Sequence, residues 1–359
     1  MSAALRPQVV ASAPGKVLLL GDYAVLEGAP ALVMAVDRRV QVRVVGRPGA
    51  AASRVDAPQV GLVDAALSWC TNAGPDFLEP ALAARPELDL LRGAVAQALA
   101  WTRQQGHAVA PVHLTVDSAD FFRPAADKLG LGSSAALSAA VIAALAHHWG
   151  AVGPAPDDLW QLARAAHAAG HAPAGSGVDV AASVWGGLLR FRRWPDAPQP
   201  EIVPLRPWAA LHLLILDTGA AAATAPLVAQ VGALREHDPS RYWSLFERLA
   251  LLSRAGTEFW GLQQMQAFTS VVEAYHVALV ELGEAAEAAI VSPVHLALHA
   301  EARAVGAWYK SSGAGGADIG VAFCESARSA RRLARRAVAV GAQPLALEMA
   351  AQGAVAVAA

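Results

Sequence analysis

The chain carries 28 basic residues, of which three are lysine, Lys16, Lys128 and Lys310, leaving 25 arginines. Each lysine borders a glycine-rich segment. Lys16 follows Pro14-Gly15, Lys128 precedes residues 129–132 (LGLG), and Lys310 precedes residues 311–316 (SSGAGG). A compact ammonium with three donors binds phosphate as a point charge. Glycine lets backbone amides approach an anion closely. The chemistry this pairing suits is the handling of phosphate groups.

The middle segment is the most explicit. Gly130-Leu131-Gly132 leads into Ser133-Ser134-Ala135-Ala136, the opening of a strong helix former. Ser133 or Ser134 is expected to cap that helix, and its first amides would face the loop. With the helix dipole added, this is an anion cradle with Lys128 at its mouth. A serine hydroxyl at the helix start also suits Mg²⁺ bridging two phosphates. Residues 130–135 formally match the dinucleotide pattern G-x-G-x-x-A. However, residues 125–128 (AADK) do not read as a strand, and no ribose-binding acid follows at the required distance. The Walker pattern is absent. A tight turn before a buried helix remains an open structural alternative.

Two further segments carry weaker signals. In residues 175–179 (GSGVD), small residues precede Asp179 at the start of an apolar helix. The acid either does chemistry or simply stabilises the first helical turn through the dipole. Residues 310–318 place Gly313, Gly315 and Gly316 between strand-like flanks and could form a hairpin.

Taken in order, the three segments resemble the motifs of the GHMP kinase family. Residues 13–28 (APGKVLLLGDYAVLEG) resemble the first motif, 129–136 (LGLGSSAA) the phosphate loop and 312–320 (SGAGGADIG) the third. The likeness runs from about residue 11 to 323, with nothing recognisable over 235–290. Within the family, the phosphomevalonate kinase branch is most similar. The similarity rests on Lys128 directly before the loop, Ala166-His167, residues 175–182 and 185–187, and residues 310–318. Ala317 replaces a glycine of that branch, and Ile319 stands where it often has Cys. Asp217-Thr218-Gly219 and Thr224 resemble the Thr/Ser segment of the second domain. Ala168 stands where mevalonate kinases carry a metal-binding Glu, eleven residues before the catalytic Asp.

The resemblance implies a two-domain α+β fold. Residues 1–195 would form an ATP-binding domain with a mixed sheet and helices, and 196–359 a helix-rich α/β sandwich domain. It implies transfer of the ATP γ-phosphoryl group, with Mg²⁺, to the phosphate of (R)-5-phosphomevalonate. Gly130, Leu131, Gly132, Ser133, Ser134 and Ala135 would hold the nucleotide phosphates, with Ser134 also a metal ligand. Lys16 and Lys128 would neutralise charge, and Asp179 takes the family's base position. Tyr23, His167, Ser176, Gly177, Arg190, Arg192, Lys310, Ser312, Gly313, Ala314 and Gly315 would line the acceptor side, with Arg193 a further cation. Another small-molecule kinase of the family, mainly mevalonate kinase, is a second reading. A nucleotide-binding paralogue without turnover is a third.

Elements must position these residues. Residues 17–20, 40–45, 113–116, 187–192, 211–216, 319–323 and 345–349 read as strands. Residues 89–105, 133–148 and 156–169 read as helices, as does the Arg-rich stretch 327–340. A long helical region spans 239–304, and 46–60 reads as a Gly/Pro/Ala-rich excursion. Prolines at 195, 198, 204 and 207 mark the expected domain boundary. Strands and helices that do not alternate regularly argue α+β over a doubly wound sheet.

Composition is consistent with this. Hydrophobic residues make up 55% and charged residues 16% of 359 positions, which excludes a disordered chain and supplies a large core. A net charge of −2 gives no basic excess for nucleic-acid binding. Apolar stretches are alanine-rich and too broken for membrane spans, and Arg6-Pro7 interrupts any signal sequence. A cytoplasmic monomer or homodimer is expected. Cys70 and Cys324 lie too far apart for a CxxC site and read as core thiols.

Overall fold

The structure, a computed structural model, describes residues 8–69, 74–123, 127–150, 152–170, 175–194, 197–219, 224–316 and 318–359. Its frame is a long antiparallel ribbon of strands Gln8–Leu20 and Ala31–Gly46. In the second strand Val40, Val42 and Val44 are buried while Gln41 and Arg43 are exposed, the period-two pattern of a half-buried strand. The register shifts between Pro14 and Gly15. Proline has no N–H to give the ladder, so the first motif bulges there.

Seven strands run in the order Val355–Ala358, Gln8–Leu20, Ala31–Gly46, Val112–Asp117, Ser53–Ala57, Leu62–Ser68, Asp76–Phe77. Leu188–Arg192 pairs with the start of Ala31–Gly46, and Glu201–Leu205 pairs with Leu188–Arg192. The sheet is mixed, because Ser53–Ala57 runs parallel to Val112–Asp117. A second, antiparallel sheet has the order Ala307–Ser311, Ile319–Cys324, His212–Asp217, Gln343–Leu345. The architecture is α+β.

Helix Ser133–Gly150 packs between the ribbon and helices Asp89–Gln104 and Pro156–Gly170. It is buried nearly all round, and its alanines at 135, 136, 139, 140, 143, 144 and 146 explain how. Small side chains let neighbouring backbones approach on every side without leaving voids. That packing fixes the helix N-terminus against the first motif.

Several elements differ from the sequence expectation. The excursion 46–60 contains strand Ser53–Ala57, whose buried Ser53, Val55 and Ala57 alternate with Arg54 and Asp56. Glu201–Leu205 is a strand despite Pro204, because it is an edge with one neighbour. The expected strand 345–349 ends at Leu345, leaving Met349 only an isolated bridge to Val36. The long helical region is three helices, Pro239–Gly261, Met265–Ala285 and Pro293–Arg303, preceded by Thr224–His237. The expected domain boundary at 195/196, Cys70 and Ala317 lie outside the described residues. Cys324 is a buried thiol. No helix among the described residues is long and apolar enough to cross a membrane.

Candidate active site

The phosphate loop is built by alternation. Leu129 and Leu131 are buried, and Leu129 N–H donates to the Phe121 carbonyl at 2.9 Å. Gly130 and Gly132 take φ of 68° and 79°, which only glycine adopts without strain. Gly15 is required by close approach, since a Cβ there would sit 2.6 Å from the Leu131 carbonyl oxygen. The Lys16 amide donates to that same oxygen at 2.7 Å, and Lys16 Nζ reaches the Gly130 carbonyl at 3.4 Å. Among the described residues, no group accepts from the amides of Ser133, Ser134 or Ala135. The helix therefore presents bare N–H groups to the loop beside the Lys16 ammonium. Lys128 is exposed at the rim.

The third glycine loop closes over the first motif. Ser312 Oγ donates to the Leu18 carbonyl at 2.9 Å and accepts from the Leu18 amide at 3.1 Å. Tyr23 OH donates to the Ala314 carbonyl at 2.7 Å, and burial raises the pKa of that phenol. A Cβ on Gly315 would land on the Ile290 carbonyl. Lys16 Nζ lies 3.8 Å from where a Cβ on Gly313 would stand, so its ammonium sits between the two glycine loops.

Asp22 ties this together. Its Oδ1 accepts from the Gly313 amide at 2.6 Å, and its Oδ2 pairs with Lys310 Nζ at 2.6 Å. Both side chains are fully buried. Lys310 therefore faces Asp22 and not an open cleft, with its pKa lowered by burial against the opposing pull of Asp22.

Asp318 lies against the phosphate loop, and a Cβ on Gly130 would land on its carboxylate. Burial pushes its pKa up to about 6, opposed by Lys16 and Arg123, and its Oδ1 is buried without a hydrogen bond. Arg123 holds Asp217 through Nε at 2.8 Å and through a second, shorter contact, and donates to the Lys128 carbonyl at 2.8 Å. This fork locks the second sheet to the loop.

On the opposite side of the helix start, three elements converge. Ser134 Oγ meets His167 Nε2 at 3.1 Å, and His167 Nε2 lies 3.6 Å from Asp179 Oδ2. The Ser134 hydroxyl thus goes to His167, not to an amide of its own helix. Asp179 lies in the first turn of helix Val178–Trp185, whose N-cap Gly177 has φ 85° and no side-chain cap. Ser176 is buried and accepts from the Val178 amide at 3.3 Å.

The expected acceptor cations are largely committed elsewhere. Arg190 pairs with Glu201 at 2.6 Å. Arg192 Nε donates to the Gly28 carbonyl at 2.9 Å and its guanidinium stacks over Trp194 at 4.3 Å. Sequence reasoning missed Asp22, Arg123 and Asp318 as site residues. Asp22 and Asp318 had a signal, an acid set inside an otherwise apolar or glycine-rich motif. Arg123 had none.

Residues 94–187, which include the phosphate loop and Asp179, match the GHMP kinases N terminal domain. The chain is 29% identical to the phosphomevalonate kinase of a Streptomyces species, over 96% of this chain and 98% of that one. The chain carries a GHMP kinase N-terminal domain. It is 31% identical to the mevalonate kinase of Aeropyrum pernix, over 63% of this chain and 62% of that one. Its fold matches the Streptococcus pneumoniae phosphomevalonate kinase solved with phosphomevalonate and AMPPNP. That match has a TM-score of 0.79 and 19% identity, over 95% of this chain and 99% of the other. The chain is a phosphotransferase.

Proposed function

We propose that this kinase transfers the γ-phosphoryl group of ATP to the phosphate of (R)-5-phosphomevalonate, giving ADP and 5-diphosphomevalonate. The observation that carries the reading is the Lys16 ammonium, set between the Gly130 carbonyl and the third glycine loop beside the open amides of Ser133–Ala135. Such transfer is mostly positioning and charge neutralisation. Gly130–Ala135 would seat the nucleotide phosphates, with Lys128 at the rim and Lys16 between donor and acceptor. Tyr23, Ser176, Gly177 and the 312–315 loop would enclose the acceptor.

The donor set near the helix start fits Mg²⁺. Ser134 Oγ and Asp179 Oδ2 are hard oxygens that both approach one point, His167 Nε2. Mg²⁺ typically takes one or two protein oxygens and completes its shell with phosphates and water. Bound there, it would neutralise charge shared by the β- and γ-phosphates. Ala168 supplies no second carboxylate, which favours the phosphorylated acceptor over mevalonate.

A coupled ADP-release assay with mevalonate and phosphomevalonate as acceptors tests the reading. Turnover with phosphomevalonate at least a hundredfold above that with mevalonate is expected. The reverse preference, or no turnover with intact ATP binding, overturns it.

A further inference from the structure

Asp318 puts a carboxylate against the anion cradle, where an acid is least expected. Its backbone fixes it there. The Asp318 carbonyl accepts from the Thr218 amide at 3.0 Å and from Thr218 Oγ1 at 2.8 Å, and Ile319 pairs with Asp217 in the second sheet. Its side chain fills the space that Gly130 leaves, since a Cβ on Gly130 would overlap both carboxylate oxygens. The acid is therefore pinned between the second sheet and the phosphate loop.

Three charged groups surround the carboxylate: Lys16 on strand Gln8–Leu20, Arg123 ahead of the loop, and Asp217 at the end of strand His212–Asp217. Both cations are engaged by other acceptors. Arg123 directs its fork to Asp217 and donates to the Lys128 carbonyl, and Lys16 Nζ reaches the Gly130 carbonyl. Asp318 Oδ1 is buried with no hydrogen-bond partner, although the amides of Ser133–Ala135 stand open nearby. A buried carboxylate oxygen without a donor is costly. The cations oppose that cost across space and leave the carboxyl at about 6.

Nucleotide phosphates seated on this loop would add negative charge beside a carboxylate that no donor stabilises. Like charges sharing a site do not all stay ionised. At an effective dielectric of about 20, one further net negative charge roughly 6 Å away raises a pKa by about two units. The carboxyl of Asp318 then stands above neutrality.

We propose that Asp318 is a resident counter-anion of the phosphate loop: it offsets the Lys16 ammonium when no nucleotide is bound, and takes one proton from solvent as nucleotide phosphates arrive. Its neutralisation releases Lys16 to the phosphates and ties nucleotide affinity to pH. This role rests on the placement of the nucleotide phosphates on Gly130–Ala135.

Calorimetric titration of the whole enzyme with ADP and excess Mg²⁺, in Hepes and in Tris at matched pH, counts the protons taken up per nucleotide. The difference between the parent and Asp318→Asn cancels the titration of the nucleotide itself. At pH 7.5 the parent should take up about 0.5–0.8 proton more than the variant. From pH 6.5 to 8 the parent's Kd for ADP should weaken about tenfold relative to that of the variant. Asp318→Asn should bind ADP at least tenfold more tightly than the parent at pH 8, and within about fivefold of it at pH 6.5. Asp318→Ser, neutral and smaller, should share the variant's pH profile and serves if Asp318→Asn does not fold. An unchanged proton count in both variants, or weaker ADP binding than the parent at every pH, overturns the proposal. Gly132→Ala tests the placement separately. Its φ of 79° strains an alanine, so ADP binding should weaken at least tenfold where the phosphates sit on the loop. Lys16→Met serves if that variant does not fold. Weakened binding there with an unchanged proton count in Asp318→Asn overturns the role of Asp318 alone. ADP binding indifferent to both Gly132→Ala and Lys16→Met overturns the placement, and the role of Asp318 with it.

Discussion

Lys310 and Asp22 form a fully buried ion pair, Nζ to Oδ2 at 2.6 Å, that joins the strand before the third glycine loop to the middle of the first motif, two residues past strand Gln8–Leu20. Asp22 Oδ1 also accepts from the Gly313 amide, so one carboxylate holds both the lysine and the loop. Removing one member strands the other as an uncompensated buried charge, at a cost of about 3–5 kcal/mol. Asp22→Asn and Lys310→Met should each lose stability of that order in urea unfolding. The double variant should recover a large part of the loss, because no charge is left buried. A double variant as unstable as the sum of the singles would show that the pair is not coupled.

Asp318 gives a pH signature. Its carboxyl has an ordinary value of 3.8 and is raised to about 6 in the folded chain, chiefly by burial. Between those values the folded state binds more protons than the unfolded one. This contribution to stability is full below about pH 4 and is lost as pH rises through 6. Asp318→Asn should therefore be more stable than the parent at pH 8, by about 1–3 kcal/mol. The two should converge towards pH 4. Equal stability at pH 8, measured by urea unfolding without nucleotide, would contradict this.

The buried histidines act with the opposite sign. Burial lowers His276 to about 3 and His295 to about 4, with Lys310 adding to both. His276 stacks on His299 at 3.8 Å, and His295 Nδ1 meets Tyr309 OH at 2.6 Å. Both rings are neutral in the fold and protonate on unfolding below about pH 6.5. Their contribution is present above that pH and lost as pH falls towards 4 and then 3, at about 1.4 kcal/mol per pH unit for each ring. In an Asp318→Asn background, which removes the counteracting carboxyl, stability should fall between pH 6.5 and 4.5. Adding His276→Gln should cut that slope by about one proton. A slope unchanged by His276→Gln would place the titration elsewhere.

What the sequence disclosed was local. Gly130, Gly132 and the serines after them carry their backbone demand within a few positions, so the glycine turn into the helix was readable before any fold. The place of Asp179 in the first turn of an apolar helix was readable for the same reason. Pairings between distant segments were not. Nothing near Lys310 in sequence says that Asp22 will neutralise it, so the lysine read as a ligand-facing charge. Arg190 likewise read as available because its partner Glu201 sits on a strand that Pro204 disguises. The ribbon and the helix Ser133–Gly150 were legible through periodicity and composition. Short strands such as Ser53–Ala57 draw their stability from neighbours, which a single sequence does not display.

Asp179 separates two kinds of acceptor. An alcohol loses a proton as it attacks, so a carboxylate base contributes strongly. A phosphate monoester has its second pKa near about 6 and is already largely dianionic at neutral pH. With such an acceptor no proton needs to leave. Asp179, 3.6 Å from His167 and in the first turn after Gly177, would on the proposed reading orient charge around the transferring group and not remove a proton. Asp179→Asn keeps the shape of the side chain and removes its charge. With phosphomevalonate it should lower kcat by roughly ten- to a thousandfold, with most of the loss recovered by neither higher pH nor higher acceptor concentration. A collapse of about four orders of magnitude or more would mean that proton removal dominates and that the group attacked is a hydroxyl.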